Sequence, residues 1–156
     1  MIIFKKPNKD TYSVRHVCDN RPEKEHLKEV QKIDPNAFIA NKLPKDRNFR
    51  DAWEPKEGKV EIEMEKARSI HMKRVRHIRN LLLEEMDKKQ FIASMKGEDV
   101  TKIEADKQLL RDYPQKIMSE VSKCDCPDTL HNIFDIELLS SDKLKGKIEA
   151  VRTGSV

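Results

Sequence analysis

The clearest pattern in the sequence is a series of apolar residues spaced three and four apart between residues 64 and 82. On a helix that turns about 100° per residue, these positions fall on one face, which predicts a long amphipathic helix. We expect it to begin near Met64 and to end at about Lys96, because Gly97 favours a helix stop. The apolar face comprises Met64, Ala67, Ile70, His71, Val75, Ile78, Leu81 and Leu82.

A second, shorter helix is predicted over residues 100–112, with Asp99 and Thr101 suited to its start. Pro114 is expected to end it, since proline disfavours helical backbone in the residue before it. Because the connection is short, the two helices are predicted to form an antiparallel helical hairpin. The inward positions of the second helix are predicted to be Ile103, Leu109 and Leu110. Further helical material is expected beyond the proline, at Ile117, Met118 and Val121. After a break at the cysteines, a last helical turn or two is expected to carry Leu130, Ile133 and Phe134.

Shorter patterns occupy the N-terminal part of the chain. Residues 2–4 and 11–17 flank a Pro-Asn-Lys-Asp cluster, which predicts a β-hairpin. Helical spacing between Pro22 and Pro35 predicts one helix of two to three turns. The only tryptophan, Trp53, is expected to pack against the core. Three more segments are predicted: an extended stretch over 37–40, a loop over 43–47 and an edge strand over 60–63.

These elements together predict an α+β fold. We expect a small N-terminal antiparallel β unit with one short helix over residues 1–58. The helical hairpin and a C-terminal helical turn follow over residues 59–139, and residues 140–156 are expected to be a polar tail.

Composition limits the size and chemistry of such a protein. The chain has 156 residues, of which 38% are charged and 37% hydrophobic, and 32 basic against 28 acidic residues give a net charge of +4. This length fits one domain, or one small domain with an appendage. A mean hydropathy of -0.80 predicts a thin, mostly aliphatic core. Three cysteines, Cys18, Cys124 and Cys126, do not suggest a disulfide framework, so we expect a reducing environment.

Neither membrane insertion nor secretion is predicted. The longest apolar run, Leu81–Leu83, is far shorter than the roughly 20 residues that a membrane span needs. The apolar stretch at the N-terminus is too short for a secretory signal and precedes the charged residues instead of following them.

The start of the long helix is strongly basic. Residues 66–79 hold six basic residues and two histidines without an acid. This stretch could present a positive stripe to phosphates, which makes nucleic-acid binding an alternative function. The other interpretation is a solvated face whose acids come from neighbouring segments, and it is favoured because interleaved aromatic residues are lacking. The candidate nucleic-acid residues are Arg68, Lys73, Arg76 and Arg79.

Arg74 differs from these residues because it falls on the apolar face, between Ile70 and Ile78. An unpaired buried guanidinium is costly, so a carboxylate partner is expected. We predict Asp112 or Asp106 on the returning helix as that partner, in a structural role.

Few residues suggest catalysis or metal binding. Cys124 and Cys126 with His131 offer soft ligands, but paired Cys-x-x-Cys spacing is absent, so a zinc site is not favoured. No nucleophile elbow and no glycine-rich phosphate loop occurs. His71 is interpreted as a core histidine. We therefore predict neither an enzyme nor a cofactor, and leave metal binding at the cysteines open.

Four segments, taken in order, resemble small proteins encoded near the tail and tail-fibre genes of tailed bacteriophages and prophages. Residues 43–54 resemble the D-R-x-F-R-x-A-W-E segment of that family. Residues 60–68 are similar to its strand-then-helix block, together with Arg74, Arg79, Leu82 and Asp87. Residues 109–114 resemble its L-R-D-x-P motif, also seen in tail assembly chaperones, and residues 126–130 a T-P-E-E-L helix start. The pre-helix segment is more charged than in the family, and Cys-x-Cys-Pro replaces its small residues.

The resemblance implies a non-enzymatic tail component or tail-fibre assembly chaperone that works through protein contacts. Its partners would be other phage tail or tail-fibre proteins or further copies of itself, in the bacterial host cytoplasm during assembly or in the virion tail. Nucleic acid and membranes are not expected partners. The residues that it marks for partner binding or for structure are Arg47, Phe49, Arg50, Trp53, Arg74, Arg111 and Asp112.

Overall fold

A computed structural model describes residues 1–7 and 11–133 and confirms the α+β class. The strands in this part of the chain are β1 (Ile2–Lys5), β2 (Tyr12–Arg15), β3 (Phe38–Ile39), β4 (Trp53–Lys56) and β5 (Lys59–Ile62). The helices are α1 (Glu23–Gln31), α2 (Met64–Met95), α3 (Thr101–Lys123) and α4 (Pro127–Asn132), with a 3₁₀ turn at Arg50–Ala52.

The chain divides into two compact units, the first spanning Met1–Ala67 and the second beginning at Arg68. The predicted boundary after residue 58 coincides with the turn between β4 and β5. Because these two strands pair with each other, β5 belongs with the first unit. The predicted tail over residues 140–156 lies outside the described residues, as does Phe134.

The first unit contains a three-stranded antiparallel sheet in the order β2-β1-β3. The predicted hairpin of β1 and β2 is confirmed, and β3 lies within the segment predicted to be extended. Consecutive residues of β1 point to opposite faces, so Ile2 and Ile3 enter different parts of the core. Ile2 packs with Val30 of α1, and Ile3 packs with Trp53. The burial of Trp53 confirms its predicted core position.

A second antiparallel pair, β4 with β5, completes the first unit. The strand predicted over 60–63 is present as β5, but its partner β4 was not predicted. Pro55 lies inside β4, although proline cannot donate to a ladder. In a two-stranded pair the proline can sit where no hydrogen bond from its nitrogen is needed. Glu57 (φ 48°) and Gly58 (φ 78°) form the tight turn, in keeping with the positive φ that two-residue hairpin turns favour.

The second unit contains the predicted antiparallel helical hairpin. Gly97 adopts a φ of 71° and ends the long helix where expected. Oδ1 of Asp99 accepts hydrogen bonds from the backbone N–H (2.9 Å) and the hydroxyl (2.6 Å) of Thr101 at the start of α3. Across the hairpin, Gln90 donates to Glu104 over 3.0 Å. The core between the helices is formed by Ile78, Leu82 and Leu110.

The prediction that Pro114 ends the second helix is wrong, since α3 continues to Lys123. An interior proline removes one backbone hydrogen bond and clashes with the preceding turn, at a cost of about 3 kcal/mol. Pro114 is itself buried, and the helix beyond it adds apolar residues to the same face. Burial of this continuous face compensates for the proline. The buried residues of α3 are Leu110, Pro114, Ile117 and Val121.

The prediction that Leu109 points inward is also wrong. Its side chain is 62% exposed, whereas Leu110 is 1% exposed. Adjacent helical residues lie about 100° apart, so the helix that buries Leu110 turns Leu109 toward solvent. Leu110 takes the inward position because it continues the line through Pro114, Ile117 and Val121.

The last helical turn is confirmed as α4, with Pro127 in its first turn and Leu130 fully buried. No helix in the described part of the chain combines the length and the apolar character that crossing a membrane requires.

Candidate functional site

The segment over residues 43–54 divides into buried and exposed positions. Phe49 and Ala52 are 0% exposed. The hydrogen bond from the backbone N–H of Ala52 to the carbonyl of Phe49 (2.9 Å) closes the 3₁₀ turn that places both inside. The apolar residues of this segment therefore maintain the fold, and Trp53 belongs with them.

The two arginines of the same segment have different environments. Arg50 is half-buried, its Nε donates to the backbone carbonyl of Tyr12 over 2.8 Å, and its guanidinium lies 5.6 Å from the centroid of the Trp53 ring. It thereby ties β2 to the 3₁₀ turn. The side chain of Arg47 is exposed. Of the four residues of this segment that the resemblance marks, Arg47 is the one with an accessible side chain.

A polar cluster that the sequence did not predict lies at the start of α1. His26 is 3% exposed, and its Nε2 lies 2.7 Å from Oδ1 of Asp19. Arg21 contacts Asp19 through Nε (3.0 Å) and Glu29 through a terminal nitrogen (2.6 Å). Arg15 of β2 donates to the other oxygen of Glu29 (3.0 Å). The cluster therefore joins the loop before α1, α1 itself and β2.

The geometry of this cluster assigns it a structural role. A carboxylate only accepts hydrogen bonds and a guanidinium only donates them. Nε2 of His26 must therefore donate to Asp19, and Nδ1 faces a terminal nitrogen of Arg21 at 3.5 Å as an acceptor. Both ring nitrogens are occupied by groups of the protein, so the imidazole has no nitrogen available for a substrate proton.

The cluster predicts a specific acid dependence of stability. The hydrogen bond from His26, then the backbone N–H and side chain of Arg21, lower the pKa of Asp19 from 3.8 to about 2. A carboxyl with a depressed folded-state pKa contributes stability above its unfolded pKa, and this is lost as pH falls through the folded value. We expect the melting temperature to fall between about pH 4 and pH 2, and to fall less in Asp19→Asn, when followed by circular dichroism.

Asp51→Asn provides the matched control, because Asp51 is an exposed aspartate outside the cluster. It should keep the acid dependence of the unmodified chain. If Asp19→Asn and the unmodified chain lose stability in parallel over this pH range, Asp19 does not contribute as described.

The basic stretch over residues 66–79 is partly engaged in internal contacts. Lys66 forms an ion pair with Glu54. Arg68 donates to the backbone carbonyl of Cys124 through Nε (3.0 Å) and a terminal nitrogen (2.8 Å), and it also reaches Asp125 over 3.2 Å.

The other candidate residues for nucleic-acid binding differ in exposure. Arg79 is half-buried, and its Nε is buried with no hydrogen-bond partner among residues 1–7 and 11–133. Lys73 and Arg76 are exposed. Two of the four candidates, Lys73 and Arg76, therefore present exposed cationic side chains to solvent.

The remaining marked residues lie on the hairpin helices. Arg74 is half-buried in α2, and its pairing with Asp112 or Asp106 stays a prediction. Arg111 and Asp112 are exposed on α3. Both carboxylate oxygens of Asp112 accept hydrogen bonds from Gln108 on the same helix (3.1 Å each).

The cysteine segment connects α3 to α4. Cys124 is half-buried and Cys126 is exposed. The hydroxyl of Thr129 lies 3.1 Å from Sγ of Cys126 and lowers the pKa of its thiol. His71, interpreted from the sequence as a core histidine, is buried, and its Nε2 donates to the carbonyl of Ile133 over 3.0 Å. Among residues 1–7 and 11–133, no three His, Cys, Asp or Glu side chains are grouped as metal ligands would be.

Exposed apolar residues are concentrated on the hairpin. Six large apolar side chains are exposed in the described part of the chain. Five of them, Phe91, Ile92, Met95, Leu109 and Met118, lie on α2 and α3, and the sixth is Ile33.

Comparisons of the chain with protein-family models, with curated proteins and with solved structures give no match.

Proposed function

We propose that this chain is a non-enzymatic structural or assembly protein of a bacteriophage tail or tail fibre, acting through protein contacts. The observation that carries the proposal is the concentration of exposed large apolar side chains on α2 and α3. Such side chains on the surface of a small domain are typical of binding sites for other proteins. The resemblance of residues 43–54 and 109–114 to tail-associated proteins supports the identity of the partners.

The polar side chains of the described residues support a non-catalytic role. His26, Arg50 and Arg68 each bind a group of the protein itself, and each contact joins segments distant in sequence. A general base or an anion site would instead need these groups directed at a substrate. Each of these contacts stabilises the unit to which its residues belong.

Nucleic-acid binding by residues 66–79 has weaker support. Phosphate contacts need accessible cationic side chains, and Lys66 and Arg68 are engaged in internal contacts. The exposed Lys73 and Arg76 are too few for a strong, salt-dependent site.

Co-expression of the tagged full chain with tail and tail-fibre proteins encoded by neighbouring genes tests the proposal. We expect at least one of these proteins to be retained on the tagged chain or to become soluble. Leu109→Ser should reduce this retention, because Leu109 is an exposed apolar side chain on α3. Arg47→Ala tests the accessible arginine of the resembling segment in the same assay. If no tail or tail-fibre protein is retained or solubilised, the proposal is wrong.

A further inference from the structure

The C-terminal end of α2 carries an apolar face that the described chain leaves uncovered. Phe91 is 67% exposed, Ile92 54% and Met95 75%. Phe91 and Met95 are four residues apart and therefore neighbours on one side of the helix, and Ile92 borders them. We call these three residues the tip face. It lies close to the hairpin turn at Gly97.

Both acidic and basic residues border the tip face. The nearest acids have partners, since Asp87 and Glu98 lie against Lys107 and Lys96, and Asp99 accepts a hydrogen bond from Thr101. Residues 88–96 contain no acidic residue, and Lys88, Lys89 and Lys96 are all exposed. Lys96 has Glu98 at 3.8 Å, while Lys88 and Lys89 form no ion pair within the described residues. An occupant that matches this surface must combine apolar side chains with carboxylates.

The chain itself contains a segment of this chemistry. Residues 134–139 read Phe-Asp-Ile-Glu-Leu-Leu, with four large apolar residues, two acids and no base. We propose that the tip face binds residues 134–139 of a second copy of this chain. This goes beyond the proposed function, because it requires no tail protein.

The length of chain that follows Ile133 decides whether residues 134–139 can contact the tip face of their own copy or only that of a second copy. Phe134 is bonded to Ile133, whose carbonyl accepts the hydrogen bond from His71. Phe91 follows His71 by 20 residues of α2, which is about 30 Å along a helix that rises about 1.5 Å per residue. Six extended residues span only about 20 Å. Residues 134–139 therefore cannot cover the tip face of their own hairpin.

Residues from position 143 onward are far enough along the chain to extend to the tip face of the same copy, but they are mainly basic. From position 143 onward the chain contains Lys143, Lys145, Lys147 and Arg152 against one acid, Glu149. Such a segment would be repelled by Lys88 and Lys89. A second copy is thus the occupant that meets both requirements.

The positions of the two binding surfaces, residues 134–139 and the tip face, favour a closed dimer. The segment leaves the hairpin near His71, whereas the tip face lies at the opposite end of α2. Two antiparallel copies related by a two-fold axis bring each segment to the tip face of its partner. A two-fold interface uses the same surfaces on both subunits and closes on itself.

Sedimentation of the full chain tests the proposal. We expect a concentration-dependent monomer–dimer equilibrium. Phe91→Ser with Met95→Ser should raise the dissociation constant at least about tenfold, because apolar anchors dominate such contacts. Leu138→Ser with Leu139→Ser should have the same effect from the other side of the contact. Leu109→Ser is the control, an exposed leucine outside the tip face, and it should leave the dimer unchanged.

Two further measurements separate the proposal from its alternatives. Lys88→Glu with Lys89→Glu should weaken the dimer, and adding Asp135→Lys with Glu137→Lys should restore it. A mixture of the Phe91/Met95 variant and the Leu138/Leu139 variant retains one intact contact, so heterodimers should form where neither variant alone dimerises. Circular dichroism of each variant checks that helical content is unchanged.

Several results would overturn the proposal. The first is that the full chain stays monomeric at high micromolar concentration. The second is that the Phe91/Met95 substitutions leave the dimer unchanged. The third is that the mixture of the Phe91/Met95 and Leu138/Leu139 variants remains monomeric. Binding of a monomeric chain to anionic phospholipid vesicles, lost in the Phe91/Met95 variant, would assign the tip face to lipid instead. The co-expression assay is scored on Leu109→Ser, which lies outside the tip face. Loss of tail-protein retention and loss of the dimer can therefore be told apart.

Discussion

Phe49→Ala is expected to lower the free energy of unfolding by about 3–5 kcal/mol, the usual cost of replacing a fully buried phenylalanine with alanine. Phe49 is 0% exposed and precedes the 3₁₀ turn that leads into β4. Truncation would leave a cavity beside a turn that must also place Ala52 and Trp53 in the core. The only tryptophan, Trp53, lies in the same unit, so urea unfolding followed by its fluorescence measures the loss.

Arg47→Ala is the matched control for this change. Arg47 lies two residues before Phe49 in the same segment, residues 43–54, but its side chain is exposed. Exposed substitutions of this kind usually change stability by no more than about 0.5 kcal/mol. If Phe49→Ala proves no more destabilising than Arg47→Ala, the packing described for this segment is wrong.

Leu110→Ala should destabilise the helical hairpin by about 2–5 kcal/mol, the range for a buried leucine replaced by alanine. Leu110 is 1% exposed and packs with Ile78 and Leu82 of α2. The lost methyl groups contact a core formed by only a few aliphatic side chains, so little remains to fill the space. Urea unfolding followed by far-ultraviolet circular dichroism reports on these helices.

The neighbouring leucine provides an unusually close control. Leu109→Ala makes the same chemical change on the same helix, but at a position that is 62% exposed. We expect a change within about 0.5 kcal/mol. Equal destabilisation by the two substitutions would contradict the orientation of α3.

This contrast also shows what helical spacing can and cannot predict. The long helix was predicted well, because many apolar residues share one face and Gly97 marks its end. In the second helix, the pair Leu109 and Leu110 gave no local reason to prefer one leucine over the other. The choice follows from the line through Pro114, Ile117 and Val121. Helical residues were predicted on both sides of Pro114, but not as one helix with one continuous face.

Two elements of the fold, β4 and α3, contain an interior proline that local rules disfavour. Pro55 and Pro114 each disfavour the element that contains them when judged locally. In the structure, the first lies in a two-stranded pair and the second packs into the helix interface. Tertiary contacts that no local pattern records compensate for both.

The contacts of the polar cluster could not be predicted from the sequence for a different reason. Its members come from β2, the loop before α1 and α1 itself. No spacing rule joins Arg15 to Glu29 or Asp19 to His26. One signal was available: His26 is four residues before the buried Val30, so both lie on the inward face of α1. An inward histidine requires polar partners, and these had to come from elsewhere in the chain.

The central position of β1 in its sheet imposes an order on folding during synthesis. Ile2 pairs with Arg15 on one side and with Ile39 on the other. Ribosomes add about 5–20 residues per second, so β3 is made some seconds after the hairpin of β1 and β2. Until then, β1 has an unpaired edge and Ile2 lacks its full apolar cover. Until β3 is complete, the unpaired edge of β1 can therefore pair with other strands, which favours aggregation or chaperone binding.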